Sequence, residues 1–232
     1  RLAGFDFKTS FVIGGLGYLS AAVMIAMMQR DTPQPAASRF RLRREYGLYY
    51  WLTVLYGTRK QLFLTFAPWV LVTVFHEPTE TIAILLFIGG VIGIFFKPWL
   101  GHLIDRRGER FVFTAEASLL ILICLGYAFA NDLFAPRAAL AVTAGCYIID
   151  QLLVSAGMAR ATWLKKIALV PEDVQQTLTM GVSIDHVFSI TIALVGGVLW
   201  RETGHSAVFI VGAGIAVVNL ISARFVRVPA HR

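Results

Sequence analysis

The sequence predicts an all-α membrane protein with seven transmembrane helices. Three observations carry that reading. Of the 232 residues 57% are hydrophobic and only 15% charged, whereas soluble domains carry roughly 25% charged residues. Several apolar stretches reach the roughly 20 residues that a helix needs to cross a bilayer. Lys and Arg gather in alternate connections between those stretches, as the positive-inside rule requires.

Taken in order, the spans cover residues 10 to 28, 48 to 75, 81 to 99, 111 to 130, 138 to 159, 177 to 200 and 206 to 226. Runs such as Ile82 to Gly93 and Leu119 to Ala130 lack the period-2 alternation of a membrane β-barrel strand, so helices are expected. The first connection carries Arg30, Arg39, Arg41, Arg43 and Arg44. The second, His76-Glu77-Pro78-Thr79-Glu80, carries no Lys or Arg. The third holds Lys97, Arg106, Arg107 and Arg110, the fourth Arg137, the fifth Arg160, Lys165 and Lys166, and the sixth Arg201. Arg224, Arg227 and Arg232 end the chain. The odd connections and the C-terminus are therefore expected in the cytoplasm, with the N-terminus outside, in a plasma or inner membrane. The net charge of +7 is then a topology signal, and no nucleic-acid partner is expected.

Residues 29 to 47 form the one substantial linker, where Thr32-Pro33-Gln34-Pro35 precedes an Arg-rich run. It reads as a hinge between bundles or as a cytoplasmic loop touching anionic lipid, and the two are compatible. Cys124 and Cys146 lie inside apolar stretches, where a thiol behaves as a small hydrophobe. Neither a disulfide nor a metal site follows from them. The chain opens on Arg1 without a signal-peptide pattern, so a missing upstream portion is expected, a processed mature start being the other option.

After the third span comes Gly101-His102-Leu103-Ile104-Asp105-Arg106-Arg107-Gly108-Glu109-Arg110. Glycine permits tight backbone geometry between helix ends, and Asp and Arg at a rim can lock adjacent ends by charge-assisted bonds. The run resembles the signature loop of the major facilitator superfamily. Gly101, Leu103, Asp105, Arg106, Gly108 and Arg110 match its pattern, while Ile104 replaces a usual small residue and Glu109 a usual basic one.

The resemblance implies helices six to twelve of a twelve-helix transporter, the C-terminal half plus one preceding helix. Residues 1–28 would be the single helix from the preceding half, 29–47 the cytoplasmic basic linker, 48–227 a six-helix bundle and 228–232 a cytoplasmic tail. It further implies two halves rocking about a midplane substrate site. The partners would be a small solute, membrane lipid and the missing N-terminal half, with no cofactor. Gly101, Asp105, Arg106, Gly108 and Arg110 would form the gating loop, with Arg160 as the best partner for Asp105.

Charges inside the spans mark functional candidates, since each costs roughly 2.5 to 3.5 kcal/mol near a helix centre. Arg59 and Lys60 lie midway along the second span, and Lys60 shares a face with Thr53, Tyr56 and Gly57. Thr143, Cys146, Tyr147 and Asp150 form a polar stripe on the fifth. Both faces correspond, by the resemblance, to helices lining the central pathway. Lys60 and Asp150 could share an aqueous cavity or simply neutralise each other across a helix contact. In the sixth span Asp185 and His186 suit a gate or proton exit, with Thr179 and Ser183 on the His186 face. A helix-start anion and a packed histidine are the bland readings. Glu116, one or two turns into the fourth span, reads as a rim residue. Glycines at 14, 15 and 17, at 89, 90 and 93, and at 196 and 197 supply small surfaces for helix packing.

The expected function is secondary active transport of a small polar or anionic solute by alternating access, with proton coupling through Asp150, Asp185 or His186 as an extension. The rival is a seven-helix receptor, which the same topology allows. Neither Cys lies where it would tether the third helix, however, and no Asn-Pro-x-x-Tyr occurs in the last span. The common enzyme signatures are missing as well.

Overall fold

A computed structural model describes residues 7–27 and 42–227. Most of the 29–47 linker and the whole 228–232 tail lie outside the described residues. The chain divides into two units, Arg1–Arg39 and Phe40–Arg232. The first contributes one helix, α1 (Phe7–Met27), apolar from Phe11 to Met27.

In the second unit a 3₁₀ turn at Arg44–Tyr46 leads into α2 (Gly47–Thr73). Then follow α3 (Thr79–Arg107), α4 (Glu109–Leu133), α5 (Pro136–Leu153), α6 (Gly157–Ile167), α7 (Pro171–Thr203) and α8 (His205–Ala223). A 3₁₀ turn at Val154–Ala156 joins α5 to α6, and together they make one long span, Pro136–Ile167. Seven helical units therefore occupy the seven expected places, and all described secondary structure is helical. Five of them, α3, α4, α5–α6, α7 and α8, are long and apolar enough to cross a membrane. At 27 residues α2 is long enough too, but Arg59, Lys60 and its Tyr and Thr residues keep it out of that apolar set.

Helix ends follow local chemistry. Pro136 and Pro171 sit at helix starts, where the missing N–H would be unpaired anyway. Glu80, Glu109, Glu172 and Asp173 fall in first turns, and Arg106, Arg107, Lys165 and Lys166 in last turns, as the helix dipole favours. A single glycine separates α3 from α4. Gly108 has φ 80° and ψ 164°, a conformation that a Cβ strains. Gly204, between α7 and α8, has φ 87° and ψ 179°. Most of the expected signature loop is thus helix: α3 continues through Gly101 to Arg107 because nothing before Gly108 breaks it.

The bundle is held by α4 against α8 and α5, by α2 against α7 and α8, and by α3 against α5. Apolar side chains form two clusters. One, at the end carrying the start of α2 and the α3–α4 junction, gathers Tyr46, Tyr49, Leu100, Ile104, Phe113, Trp163 and Leu164. The other gathers Leu62, Phe63, Phe66, Leu120, Tyr127, Tyr147 and Phe209. On α2 and α4 a charged residue separates the two clusters.

Candidate functional site

The separating residues are Arg59 on α2 and Glu116 on α4, which meet Asp150 of α5; all three are buried. Arg59 Nη2 donates to Asp150 Oδ1 at 2.5 Å and to the Asp150 carbonyl at 3.4 Å, while Nη1 donates to Glu116 Oε1 at 3.4 Å. Glu116 Oε2 faces Arg160 Nη1 of α6 at 3.8 Å, beyond hydrogen-bonding distance. The chain Asp150, Arg59, Glu116, Arg160 therefore alternates in sign across four helices. Burying such charges is tolerable only when each meets an opposite one.

Lys60, the next residue along α2, points elsewhere, because successive helical side chains diverge by about 100°. Its Nζ donates to Asp185 Oδ2 of α7 at 2.6 Å, and its side chain is 29% exposed. Gly57 makes this contact possible: a Cβ there would fall on the Asp185 carboxylate. Ser189 Oγ donates to the Gly57 carbonyl at 3.2 Å and fixes the same crossing. Further along, Gly196 lies against the Phe66 ring. Small residues thus bring α2 and α7 close enough for an interhelical ion pair.

Tyr56 joins the two sets of charges. Arg160 lies over its ring with 3.5 Å to the centroid, while Lys60 and Arg59 approach at 5.8 and 6.0 Å. The Tyr56 hydroxyl donates to the Val154 carbonyl at 3.1 Å, tying α2 to the 3₁₀ turn. Three cations therefore surround one phenol, matched by the three carboxylates of Glu116, Asp150 and Asp185. Beside them a cleft of ≈ 160 Å³ opens between α2, α6 and α7. Tyr49, Thr53, Tyr56, Gly157, Arg160, Gly181 and Asp185 are among its walls.

The ion pairs differ from the sequence expectation. Lys60 and Asp150 do not pair: Asp150 takes Arg59, and Lys60 takes Asp185. The stripe on α5 turns into the bundle, where Thr143 is buried with no hydrogen-bond partner and Tyr147 joins the apolar cluster. Thr53, Tyr56, Arg160 and Asp185 line the cleft; Asp150, Thr143 and Tyr147 do not. His186 faces outward, and Thr179 and Ser183 donate only to carbonyls of their own helix.

Asp105 is exposed and forms no ion pair among the described residues, because its expected partner Arg160 turns inward to Glu116 and Tyr56. Arg106 and Arg110 are exposed as well, and Arg107 lies over the Phe111 ring at 5.4 Å. A Cβ on Gly101 would meet open space, so the tight geometry of this segment resides at Gly108.

Glu116 is a correction: it is a central member of the charged chain and not a rim residue. The signal was present, since it interrupts an apolar α4 face of Val112, Phe113, Ala117 and Leu120 at helical spacing. Glu109, the departure from the family pattern, is fully buried, with Lys166 Nζ 2.6 Å from its Oε1. Its carboxylate lacks ordinary hydrogen-bond alignment, so the contact is chiefly electrostatic. Asp173, also missed, accepts from Arg43 Nη1 at 2.8 Å and from the Tyr46 hydroxyl at 2.7 Å. With the Trp163 indole donating to the Arg227 carbonyl at 3.0 Å, these contacts tie the α3–α4 junction end together.

Comparison with curated proteins and with solved structures returned no match. Buried charges within a helical membrane bundle are the mark of substrate or ion pathways and proton relays. Comparison with protein families agrees: residues 2–182 match the Major Facilitator Superfamily. The chain belongs to that family of membrane transporters and is a multi-pass integral membrane protein, not an enzyme.

Proposed function

We propose that the chain supplies helices six to twelve of a transporter that moves a small polar or anionic solute by alternating access. In this reading α1 closes the preceding half, residues 29–47 are the cytoplasmic linker, 48–227 the C-terminal bundle and 228–232 the tail. The N-terminus is outside and the C-terminus cytoplasmic, in a plasma or inner membrane.

The observation that carries the reading is the gathering of Arg59, Lys60 and Arg160 round Tyr56, beside a cleft. Intramembrane charges that border a cavity are the usual substrate and coupling elements of transporters. Their counter-ions come from three different helices, so helix movement must rearrange the pairs. Arg59, Asp150, Thr143 and Tyr147 form the fixed interior of this pathway, and Thr53, Tyr56 and Lys60 its solute-facing side. Proton coupling falls to Asp185 rather than Asp150 or His186. Asp185 borders the cleft against a partly exposed Lys60, whereas Asp150 is enclosed beneath Arg59 and His186 faces away.

Uptake from a panel of small organic anions and neutral polar solutes, into proteoliposomes that hold this chain together with the preceding helices, tests this. Saturable uptake of at least one solute, lost in Lys60→Met, is expected. In Asp185→Asn, solute exchange should persist while accumulation driven by a proton gradient disappears. Uptake unaltered in both variants would remove the α2–α7 pair from the pathway.

A further inference from the structure

We propose that the cleft between α2, α6 and α7 is a carboxylate-binding subsite, in which Arg160 and Tyr49 receive the anionic end of a small monocarboxylate. The inference deepens the transport reading by naming the substrate class, and rests on it for its physiological use.

Among the three cations at Tyr56, two meet a carboxylate at hydrogen-bonding distance, although Arg59 Nε has no partner among the described residues. Arg59 is held by Asp150 and Glu116, and Lys60 by Asp185 at 2.6 Å. Arg160 differs. Its guanidinium lies over the Tyr56 ring, and Glu116 stands at 3.8 Å from Nη1, while Nη2 is buried with no hydrogen-bond partner among the described residues. The whole residue is 6% exposed. A buried guanidinium N–H left unpaired is costly, and an oxyanion is its best complement.

The cleft runs alongside this guanidinium. Arg160 Nη2 lies beside Gly157, itself a wall of the cleft; a Cβ there would come within 3.3 Å of Nη2 and 3.5 Å of the Tyr56 hydroxyl oxygen. Gly181 stands in the same relation to the other donor. A Cβ there would reach 3.3 Å from the Tyr49 hydroxyl, which lines the same cleft with Thr53 as a polar neighbour. Glycine at both positions avoids crowding a guanidinium and a phenol, two donors suited to the two oxygens of a planar carboxylate. The ≈ 160 Å³ volume has room for a small charged group. Asp185 is another wall. A second negative charge on the ligand would meet this carboxylate, so monoanions are favoured over dianions.

The test uses the full chain in lipid nanodiscs and titrates acetate, with acetamide as the uncharged analogue and malonate as the dianion. Saturable acetate binding, at least tenfold weaker for malonate and absent for acetamide, is expected. Arg160→Gln should weaken acetate binding at least tenfold, and Arg160→Lys should recover only part of it because Lys lacks the planar fork. Tyr49→Phe should cost several-fold, and Gly157→Ala should weaken binding by crowding Nη2 while leaving the unfolding temperature within a few degrees. No saturable acetate binding to the native chain, equal binding of acetamide, or unchanged affinity in Arg160→Gln with native-like unfolding would overturn the subsite. Acetate bound through Arg160 without flux in proteoliposomes that hold this chain together with the preceding helices would keep the subsite and overturn the transport reading. Flux indifferent to Arg160 would do the reverse.

Discussion

Arg59 Nη2 lies 2.5 Å from Asp150 Oδ1, with the two side chains 3% and 8% exposed. The neighbouring Lys60 reaches a different carboxylate on a different helix. Breaking a buried pair strands a charge and costs roughly 3 to 5 kcal/mol, and the cost is smaller where one partner, as Lys60 at 29% exposure, keeps contact with water. Asp150→Asn should therefore lower the unfolding temperature in detergent far more than Lys60→Met does. An equal or milder effect of Asp150→Asn would contradict the enclosed pair.

The pairing itself is open to a double-mutant cycle on thermal unfolding. Lys60→Met with Asp185→Asn should show coupling, as should Arg59→Met with Asp150→Asn. Lys60→Met with Asp150→Asn should be additive within about 0.5 kcal/mol. Strong coupling in that last combination would restore the pair that depth alone suggested.

Glycine at the α3–α4 junction is required by backbone conformation, whereas the glycine seven residues earlier is not. Gly108→Ala should destabilise by about 1 to 3 kcal/mol, the strain of a Cβ at φ 80°. Gly101→Ala should be neutral or slightly stabilising, since its Cβ would meet open space in a helix. Thermal unfolding of the two variants checks the contrast.

Tyr46 holds the entry to α2 by donating to Asp173 and accepting from the Leu169 N–H at 3.0 Å. Burial pushes its hydroxyl above the ordinary tyrosine value, with Asp173 acting in the same direction and the Leu169 N–H and Arg43 against it. The folded state therefore keeps a proton that the unfolded state releases near pH 10. The resulting stability is complete below about pH 10 and is lost as pH rises through the folded value. Tyr46→Phe should cost roughly 1 to 3 kcal/mol at neutral pH and flatten that alkaline decline; an unchanged decline would assign it to other groups.

Membrane orientation is tested with an impermeant thiol reagent on single cysteines at Thr79 and Ser38. Thr79→Cys should label from outside and Ser38→Cys should not, following the Lys and Arg asymmetry. The opposite pattern would invert the topology.

The sequence by itself determined the helical membrane architecture, because lipid demands long apolar segments with internally satisfied backbones. Every helical unit falls where an apolar segment stands, with ends displaced by up to eight residues. The extension of α3 through the signature residues and the break between α5 and α6 were missed, since capping and local winding leave little trace in hydropathy. Sequence also marked Arg59, Lys60, Asp150 and Asp185 as charges out of place, for each interrupts an apolar run. Tertiary structure alone decided which carboxylate each cation meets. Helical periodicity gives a residue's direction about its own axis, but not which neighbour lies in that direction. Glu116 shows the limit. Its position near a helix start suggested a wetted rim, yet the packing of α4 against α5, α6 and α8 encloses that turn. Arg160 shows it too: a basic residue counted toward topology became, through the crossing of α2 and α6 at Gly157 and Tyr56, a buried guanidinium with one donor unspent.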